Sequence, residues 1–406
     1  MQDVLIVGAG PAGSIAGLVL ARAGARVRIV DRAAFPRDKL CGDTVNPGTL
    51  ARLRQLGVAE PIERCGLRVD GMLVSGEHGV AIEGRYPHGL NGRAIVRHDL
   101  DWALLQAAMA AGCQFEAGVH VHRAAVADAR VGGIIVGSNG HERRLDAPVT
   151  IAADGRHSTI AFGLGLARHP ARPRRWAIGA YFNGVRPGTE QGQGRDRAGT
   201  EQGRIRDGSG TDTYPSPAGT VGEMHVRRGW YMGIAEVPGG LTNVCLVKPS
   251  QPADAELHNP AALLMRTMTA DPLLRDRIAE ARLVSGPVML GPLAVDATGA
   301  AIDGLLIAGD AAGFVDPMTG DGLRFAIRGA ELAAASALEA LERGWSGVHA
   351  RLAARRRREF SGKQRFNRAL RALVASPRAV SAAAIGAQLA PVILQAVILR
   401  AGDCEC

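Results

Sequence analysis

The chain opens with a short apolar run, Val4-Leu5-Ile6-Val7, that passes directly into Gly8-Ala9-Gly10-Pro11-Ala12-Gly13 and then into a helical pattern from Ser14 to Ala23, closed by Gly24. Few structures accept glycines at this spacing. Gly8 permits a sharp turn, Gly10 lets the backbone approach a pyrophosphate, and Gly13 lets the helix lie close on the strand. The start of the helix, with Pro11 and Ala12 in its first turn, offers unsatisfied N–H groups and the positive end of a dipole to phosphate. A second strand, Arg26 to Val30, ends at Asp31, which is placed to accept hydrogen bonds from a ribose, with Arg32 beside it. The segment therefore predicts a βαβ unit that binds a dinucleotide.

Further along, Asp99 to Ala111 reads as a helix, Pro148 to Ala153 and Leu305 to Ala308 as strands, and Gly322 to Leu341 as a helix after a glycine-rich loop. Between about Pro170 and Gly291 short apolar and polar runs alternate, as in antiparallel sheet, and Gly71 to Glu83 is expected to join them. This divides the chain into a discontinuous dinucleotide-binding part (1–70, 92–169 and 290–345), an inserted sheet part (71–91 and 170–289) and a helical C-terminal region (346–406). Within the insert, Gly188-Thr-Glu-Gln-Gly192 recurs as Gly199-Thr-Glu-Gln-Gly203. With Ile205 as its one large apolar residue, this duplication reads as a surface loop, with a lid as the sharper reading.

Composition narrows the function classes. The net charge of +9 comes almost wholly from arginine, since the lysines are Lys39, Lys248 and Lys363. Aromatic residues make up only 4%, too few for a base-stacking platform, so nucleic acid is not expected as a partner. The six cysteines form no CxxC pair, which predicts no zinc site, no iron–sulfur cluster and no disulfide framework; Cys404 and Cys406 are expected in a frayed end. No signal peptide precedes the first strand, so a cytoplasmic location is expected. The best membrane-span candidate, Ser381 to Leu399, is interrupted by Gly386, Gln388, Pro391 and Gln395. The arginine run from Arg351 to Arg358 reads as a solvated helix face. Leu370 to Leu399 is expected either to pack back on the protein or to make peripheral membrane contact.

The first glycine turn does not by itself separate FAD from NAD. Two later motifs bear on this: Ala153-Asp154-Gly155-Arg156-His157-Ser158 and Ala308-Gly309-Asp310-Ala311-Ala312-Gly313, each following a predicted strand. Together with the first turn they resemble the DG and GD motifs of the FAD-dependent family that joins the p-hydroxybenzoate hydroxylase-type monooxygenases with the geranylgeranyl reductases. The resemblance implies an α/β fold, a glutathione-reductase-type FAD-binding Rossmann-like domain with an inserted, mostly antiparallel substrate domain. It also implies roles in FAD binding: Asp310, with Gly309, at the ribityl or ribose part, Asp154 and Gly155 by the pyrophosphate, and Arg97 on a phosphate. Pro317, Gly320, Asp321 and Gly322 open the helix that follows the GD motif. Backbone N–H groups there can point at the flavin's pyrimidine end and stabilise its anionic reduced form.

Pro36-Arg37-Asp38-Lys39-Leu40-Cys41-Gly42 resembles the P-x-x-K-x-C-G signature of the geranylgeranyl reductase branch. By that resemblance Cys41 lies near the flavin or the substrate, and it is the candidate catalytic or cofactor-lining thiol; a small buried side chain in a tight loop is the alternative. Trp230, Tyr231 and Met232 stand where the family carries an aromatic-rich substrate strand. The tryptophan halogenases have Trp-x-Trp-x-Ile-Pro there, whereas this chain has Met232 and Ala235 in place of the second Trp and the Pro. The resulting expectation is an oxidoreductase that reduces a double bond of a lipophilic, isoprenoid-like substrate, with NADPH, NADH or a reduced carrier as electron donor. The alternatives are a monooxygenase of an aromatic polyketide or phenolic lipid and a non-catalytic FAD-binding membrane adaptor.

Overall fold

The computed structural model describes residues 2–39, 41–77, 81–138, 141–172, 174–188, 220–250, 254–297, 302–315, 318, 320–374 and 391–404. The duplicated segment after Gly188, Pro317 and Cys406 lie outside the described residues.

Val4–Val7 is buried at every position and forms the middle of a five-stranded parallel sheet. Its neighbours are Val27–Val30 and Val149–Ala152, and the sheet is completed by Gln114–Glu116 beyond the first and Leu305–Ile307 beyond the second. Continuous apolar strands are what a sheet covered on both faces requires. One face is covered by Pro11–Arg22 and by the 22-residue helix Gly322–Arg343. The latter buries Ala330, Ala333, Ala334 and Ala337, a stripe at helical spacing whose small side chains let it pack closely on the first helix. On the other face lies a three-stranded antiparallel sheet (Val121–Ala127, Arg130–Ser138 and His141–Asp146), with Val131, Ile134 and Val136 packed beside Leu5 and Val7.

A ten-stranded mixed sheet stands beside this unit. Its long strands are Arg175–Asn183, Leu241–Pro249, Trp230–Val237, Thr220–Arg227 and Leu67–Ser75, in that order. All pair antiparallel except the last two, which run parallel to each other. One face packs on the helix Pro260–Ala270 through Ile178, Phe182, Met232, Ile234 and Leu246.

The expected boundaries shift where strands recruit neighbours. Thr44–Val45, Leu67 and Gly92–Ala94, expected in the dinucleotide-binding part, hydrogen-bond into the large sheet. The pairing is long-range and leaves no local mark. The C-terminus also differs from a frayed end. Ile398 of the helix Pro391–Ala401 fills the notch left by Gly84, the amide of Gly48 donates to the carbonyl of Gly402 (3.0 Å), and Asp403 pairs with Arg324. Among the described residues no helix is long and apolar enough to cross a membrane.

The arginine run lies within the helix Val348–Val374 and is only partly a solvated face. Arg356 turns inward and donates to the carbonyls of Ile307 (3.2 Å) and Ala312 (3.0 Å), tying the loop that contains Asp310 to this helix.

Candidate functional site

The order of the parallel sheet brings the three glycine motifs together. Val7, Ala152 and Ile307 end adjacent strands in register, so the turns beginning at Gly8, Ala153 and Ala308 leave the same edge side by side. This is the carboxyl edge, where open α/β sheets bind ligands. Gly8 has φ 99°, and a Cβ there would lie 2.5 Å from the carbonyl oxygen of Ala153. A Cβ on Gly13 would overlap the carbonyl oxygen of Gly8. One on Gly309 would come within 2.9 Å of the Ala12 methyl, so the early turn and the Asp310 loop are in contact.

Gly10 differs from these. The group nearest to a Cβ placed on it is the Arg37 guanidinium, 3.5 Å away. Arg37 belongs to a charge cluster. Arg97 forms a bidentate pair with Asp101 (2.7 and 2.8 Å), and Arg37 reaches the same carboxylate at 3.1 Å. Asp101 is fully buried. Burial opposes the charge on Arg97, but Asp101 and the neighbouring Cys41 outweigh it and hold its pKa above the ordinary range. Lys39 lies within electrostatic reach of Arg97 and Asp310, and burial, with Arg97 second among the groups lowering it, brings its pKa to about 8. Burial likewise lowers the pKa of Arg156, which Asp310 partly offsets.

Asp31 accepts from the amides of Ala9 (2.8 Å) and Ala33 (2.9 Å), which locks the end of its strand to the glycine turn and leaves lone pairs on both oxygens. Arg32 is exposed beside it. Asp154 accepts from the amide of Thr159 (2.8 Å), and Gly155 turns with φ 84°. Gly320 has φ 67°, and a Cβ on it would lie 3.9 Å from Thr44 Oγ1. The side chain of Asp321 is 2% exposed. Its carboxylate meets Lys363 (3.2 Å) and Asn367 (2.9 Å), so it anchors the start of the helix at Gly322.

The family of FAD binding domains matches residues 1–181. The chain is 30% identical to a menaquinone reductase of Mycolicibacterium smegmatis over 82% of this chain and 75% of that one. It is 28% identical to a digeranylgeranylglycerophospholipid reductase of Methanopyrus kandleri over 84% and 78% of the two chains. The chain belongs to the geranylgeranyl reductase-like branch of the FAD-dependent oxidoreductases. Its backbone is also similar to that of the flavin-dependent brominase Bmp2, with a TM-score of 0.80 over 100% of this chain and 94% of that one; at 19% identity this likeness shows the fold alone.

FAD, the cofactor implied by the motifs, fits the residues of this reductase-like chain. Arg32, Arg37, Lys39, Arg97 and Arg156 outweigh Asp31, Asp101 and Asp310 around a turn whose Gly10 leaves room for phosphate. An anionic pyrophosphate would suit that excess of positive charge. Arg37 and Lys39 would hold it with the helix N-terminus at Pro11, Asp31 would hold a ribose, and Gly320 and Gly322 would lie along the isoalloxazine.

Trp230, Tyr231 and Met232 do not line one surface. Alternation along the strand sends Met232, fully buried, into the core beneath the helix Pro260–Ala270, and Trp230 to the same side. Tyr231 faces the other way, toward Phe314 and Met318 of the Asp310 loop. On that face lie residues that were not singled out in the sequence. Tyr181, Asn243 and Ala235 form one cross-strand row, Gly179, Cys245 and Gly233 the next, and Ala177, Val247 and Tyr231 the third. The middle row carries only the Cys245 side chain, so that it forms a low row, or trough, between two rows of larger side chains. At its polar end the Tyr181 hydroxyl donates to Asp43 Oδ2 (2.5 Å), and Asn243 Nδ2 donates to the same oxygen (2.6 Å) and to the carbonyl of Cys41 (2.8 Å). Cys41 thus lies between Arg97 and this end of the trough. The sequence signal for these partners was alternation alone, which marks a face and not a site.

Proposed function

We propose that this chain reduces a carbon–carbon double bond of a lipophilic, isoprenoid-like substrate, taking electrons from NADPH, NADH or a reduced carrier. The observation that carries the reading is the trough. Gly179, Cys245 and Gly233 leave a side-chain-poor slot between the polar row of Tyr181 and Asn243 and the apolar row of Val247 and Tyr231. Such a slot suits a flat or linear apolar group with a polar head. The substrates named for the two similar reductases, a menaquinone and a digeranylgeranylglycerophospholipid, both carry polyprenyl chains.

In this reading the large sheet, with Thr44–Val45 and Gly92–Ala94 recruited to it, acts as the substrate side, and the unit built on the parallel sheet as the cofactor side. When bound, FAD supplies the hydride chemistry. Arg37 and Lys39 would hold its phosphates, Arg97 would steady Arg37 through the shared Asp101, and Cys41 would line the space between the two sides. Tyr231 and Val247 exclude water from the apolar end. Peripheral membrane contact through 346–406 would give such a substrate a route to the site, and flotation with anionic vesicles tests it.

The test of the reaction type is product mass. Holoenzyme with NADPH and a menaquinone, in air and without air, is expected to yield product that, after reoxidation of the ring to the quinone, is still heavier by two hydrogens under both conditions. Product heavier by one oxygen, formed only in air, marks a monooxygenase and overturns the reading.

A further inference from the structure

Among the described residues, Glu223, Asp271 and Asp403 are buried carboxyl groups that each meet an arginine, whereas the buried Asp43 has an ion-pair partner in none of the described salt bridges. Asp43 is 2% exposed, and its backbone sits at φ 49°, a left-handed conformation that few non-glycine residues adopt. It is held there because its carbonyl accepts from the amide of Ile95 (2.8 Å). Both hydrogen bonds to its side chain, from Tyr181 and Asn243, fall on Oδ2. Oδ1 is buried without a hydrogen-bond partner among the described residues. A carboxylate would leave Oδ1 desolvated and unpaired, at considerable cost, whereas a carboxylic acid places its proton there and keeps both donors on Oδ2. Burial accordingly pushes the pKa of Asp43 up to about 7, against the opposing pull of Tyr181, Asn243 and Arg97.

Its position is equally specific. Asp43 contacts Tyr181 and Asn243 at the polar end of the trough, and Asn243 also holds the Cys41 carbonyl. The next residue, Thr44, lies beside Gly320, where the helix after the Asp310 loop begins. Neighbouring groups make poorer proton donors near neutrality. Burial carries the Tyr181 hydroxyl far above its usual range and the Cys245 thiol to about 12, and Lys39 is committed to the cluster around Asp310 and Arg97.

Resting on the reductase reading above, we propose that Asp43 is the catalytic acid of the reduction and delivers the Oδ1 proton to one carbon of the substrate double bond. The balance is complete. Hydride from the reduced cofactor forms one new C–H bond, and the π pair takes the Asp43 proton to form the other. The substrate gains two electrons, the cofactor loses them, and Asp43 is left as a carboxylate that recovers a proton from water admitted as the product leaves. Tyr181 and Asn243 are positioning residues that stabilise that carboxylate through Oδ2. Arg97, Asp101, Cys41 and Cys245 are the other titratable groups acting on this region.

The test uses holoenzyme, with Asp43→Asn and Tyr181→Phe as variants and a menaquinone as probe. The infrared difference between wild type and Asp43→Asn is expected to contain a protonated-carboxyl band that disappears as pH rises through about 7. In anaerobic single turnovers of the reduced holoenzyme, Asp43→Asn is expected to retain its flavin and to saturate the probe at least ~100-fold more slowly. Tyr181→Phe removes a donor to the carboxylate, so the midpoint of the band should move up by on the order of one pH unit. Equal turnover by wild type and Asp43→Asn overturns the proposal and leaves the reductase reading standing. Absence of the band from wild type, or an unmoved midpoint in Tyr181→Phe, overturns it even where Asp43→Asn fails to fold. Oxygenated product from wild type removes the reductase reading, and the proposal with it.

Discussion

Tyr181 and Asp43, 138 residues apart in the chain, meet at 2.5 Å and join the large sheet to the loop that follows the first βαβ unit. The contact has a consequence for stability. Burial raises the pKa of Asp43 from 3.8 to about 7, so the folded state binds its proton more tightly than the unfolded chain does. Stability from this group is fully present below pH 3.8 and is lost as pH rises through about 7. The difference amounts to on the order of 4 kcal/mol. In paired urea titrations, Asp43→Asn is expected to gain on wild type across this window. Parallel curves from pH 4 to pH 8 would show that the carboxyl is already ionised at the low end.

Arg37 is expected to contribute directly to cofactor affinity, because its guanidinium lies over Gly10 and is oriented by the buried Asp101. Loss of a charge-assisted phosphate contact costs about 1.5–3 kcal/mol. Arg37→Ala should therefore weaken FAD binding by roughly 10- to 100-fold. Flavin fluorescence quenching on titration into apoprotein measures this. Arg37→Lys keeps the charge but not the fork, and should recover only part of the loss.

Two glycines should respond in opposite directions to the same substitution. A methyl on Gly13 meets the carbonyl of Gly8, a backbone atom that cannot move aside without opening the turn, so Gly13→Ala is expected to give colourless, poorly soluble protein. Gly329 lies within the helix Gly322–Arg343 with nothing inside 4 Å of its Cβ position. Gly329→Ala should stabilise by up to about 1 kcal/mol through helix propensity, read as a rise in Tm.

Lys363 links the C-terminal helix to the cofactor side. It is 2% exposed, donates to the carbonyls of Arg400 and Ala401 at the end of the helix Pro391–Ala401, and pairs with Asp321. Lys363→Met leaves a buried carboxylate without its cation and should cost about 3–5 kcal/mol. The double variant with Asp321→Asn removes that buried charge and should recover a large part of the loss. Denaturant midpoints of the two variants separate these outcomes.

The parts of this protein legible in the sequence are those governed by local geometry. Gly8, Gly10 and Gly13 between a strand and a helix, and the strand-borne Asp154 and Asp310 motifs, carry constraints that act within a few residues, and they led to a dinucleotide-binding α/β fold. The resemblance of these motifs pointed further, to FAD and to the reductase-like branch. Alternation also revealed the second sheet. It did not reveal that Thr44–Val45 and Gly92–Ala94 would join that sheet, nor that Trp230 and Met232 would turn away from Tyr231 into the core. Nor did it reveal that the Asp321 side chain, at the helix start whose backbone N–H groups are the expected flavin contact, would meet Lys363 and Asn367.

What the sequence determined alone is a dinucleotide site and the edge of the sheet that receives it, because a glycine turn and a helix N-terminus are specified by consecutive residues. What only tertiary structure decided is the chemistry opposite that edge. Asp43 has its pKa raised because the fold removes water from around it, while Tyr181 and Asn243, arriving from distant strands, fall on one of its oxygens and temper that rise. Arg356, lost in a run of identical charges, becomes a brace for the Asp310 loop for the same kind of reason. Desolvation and long-range pairing set the character of a buried charged group, and neither is written in the residues next to it.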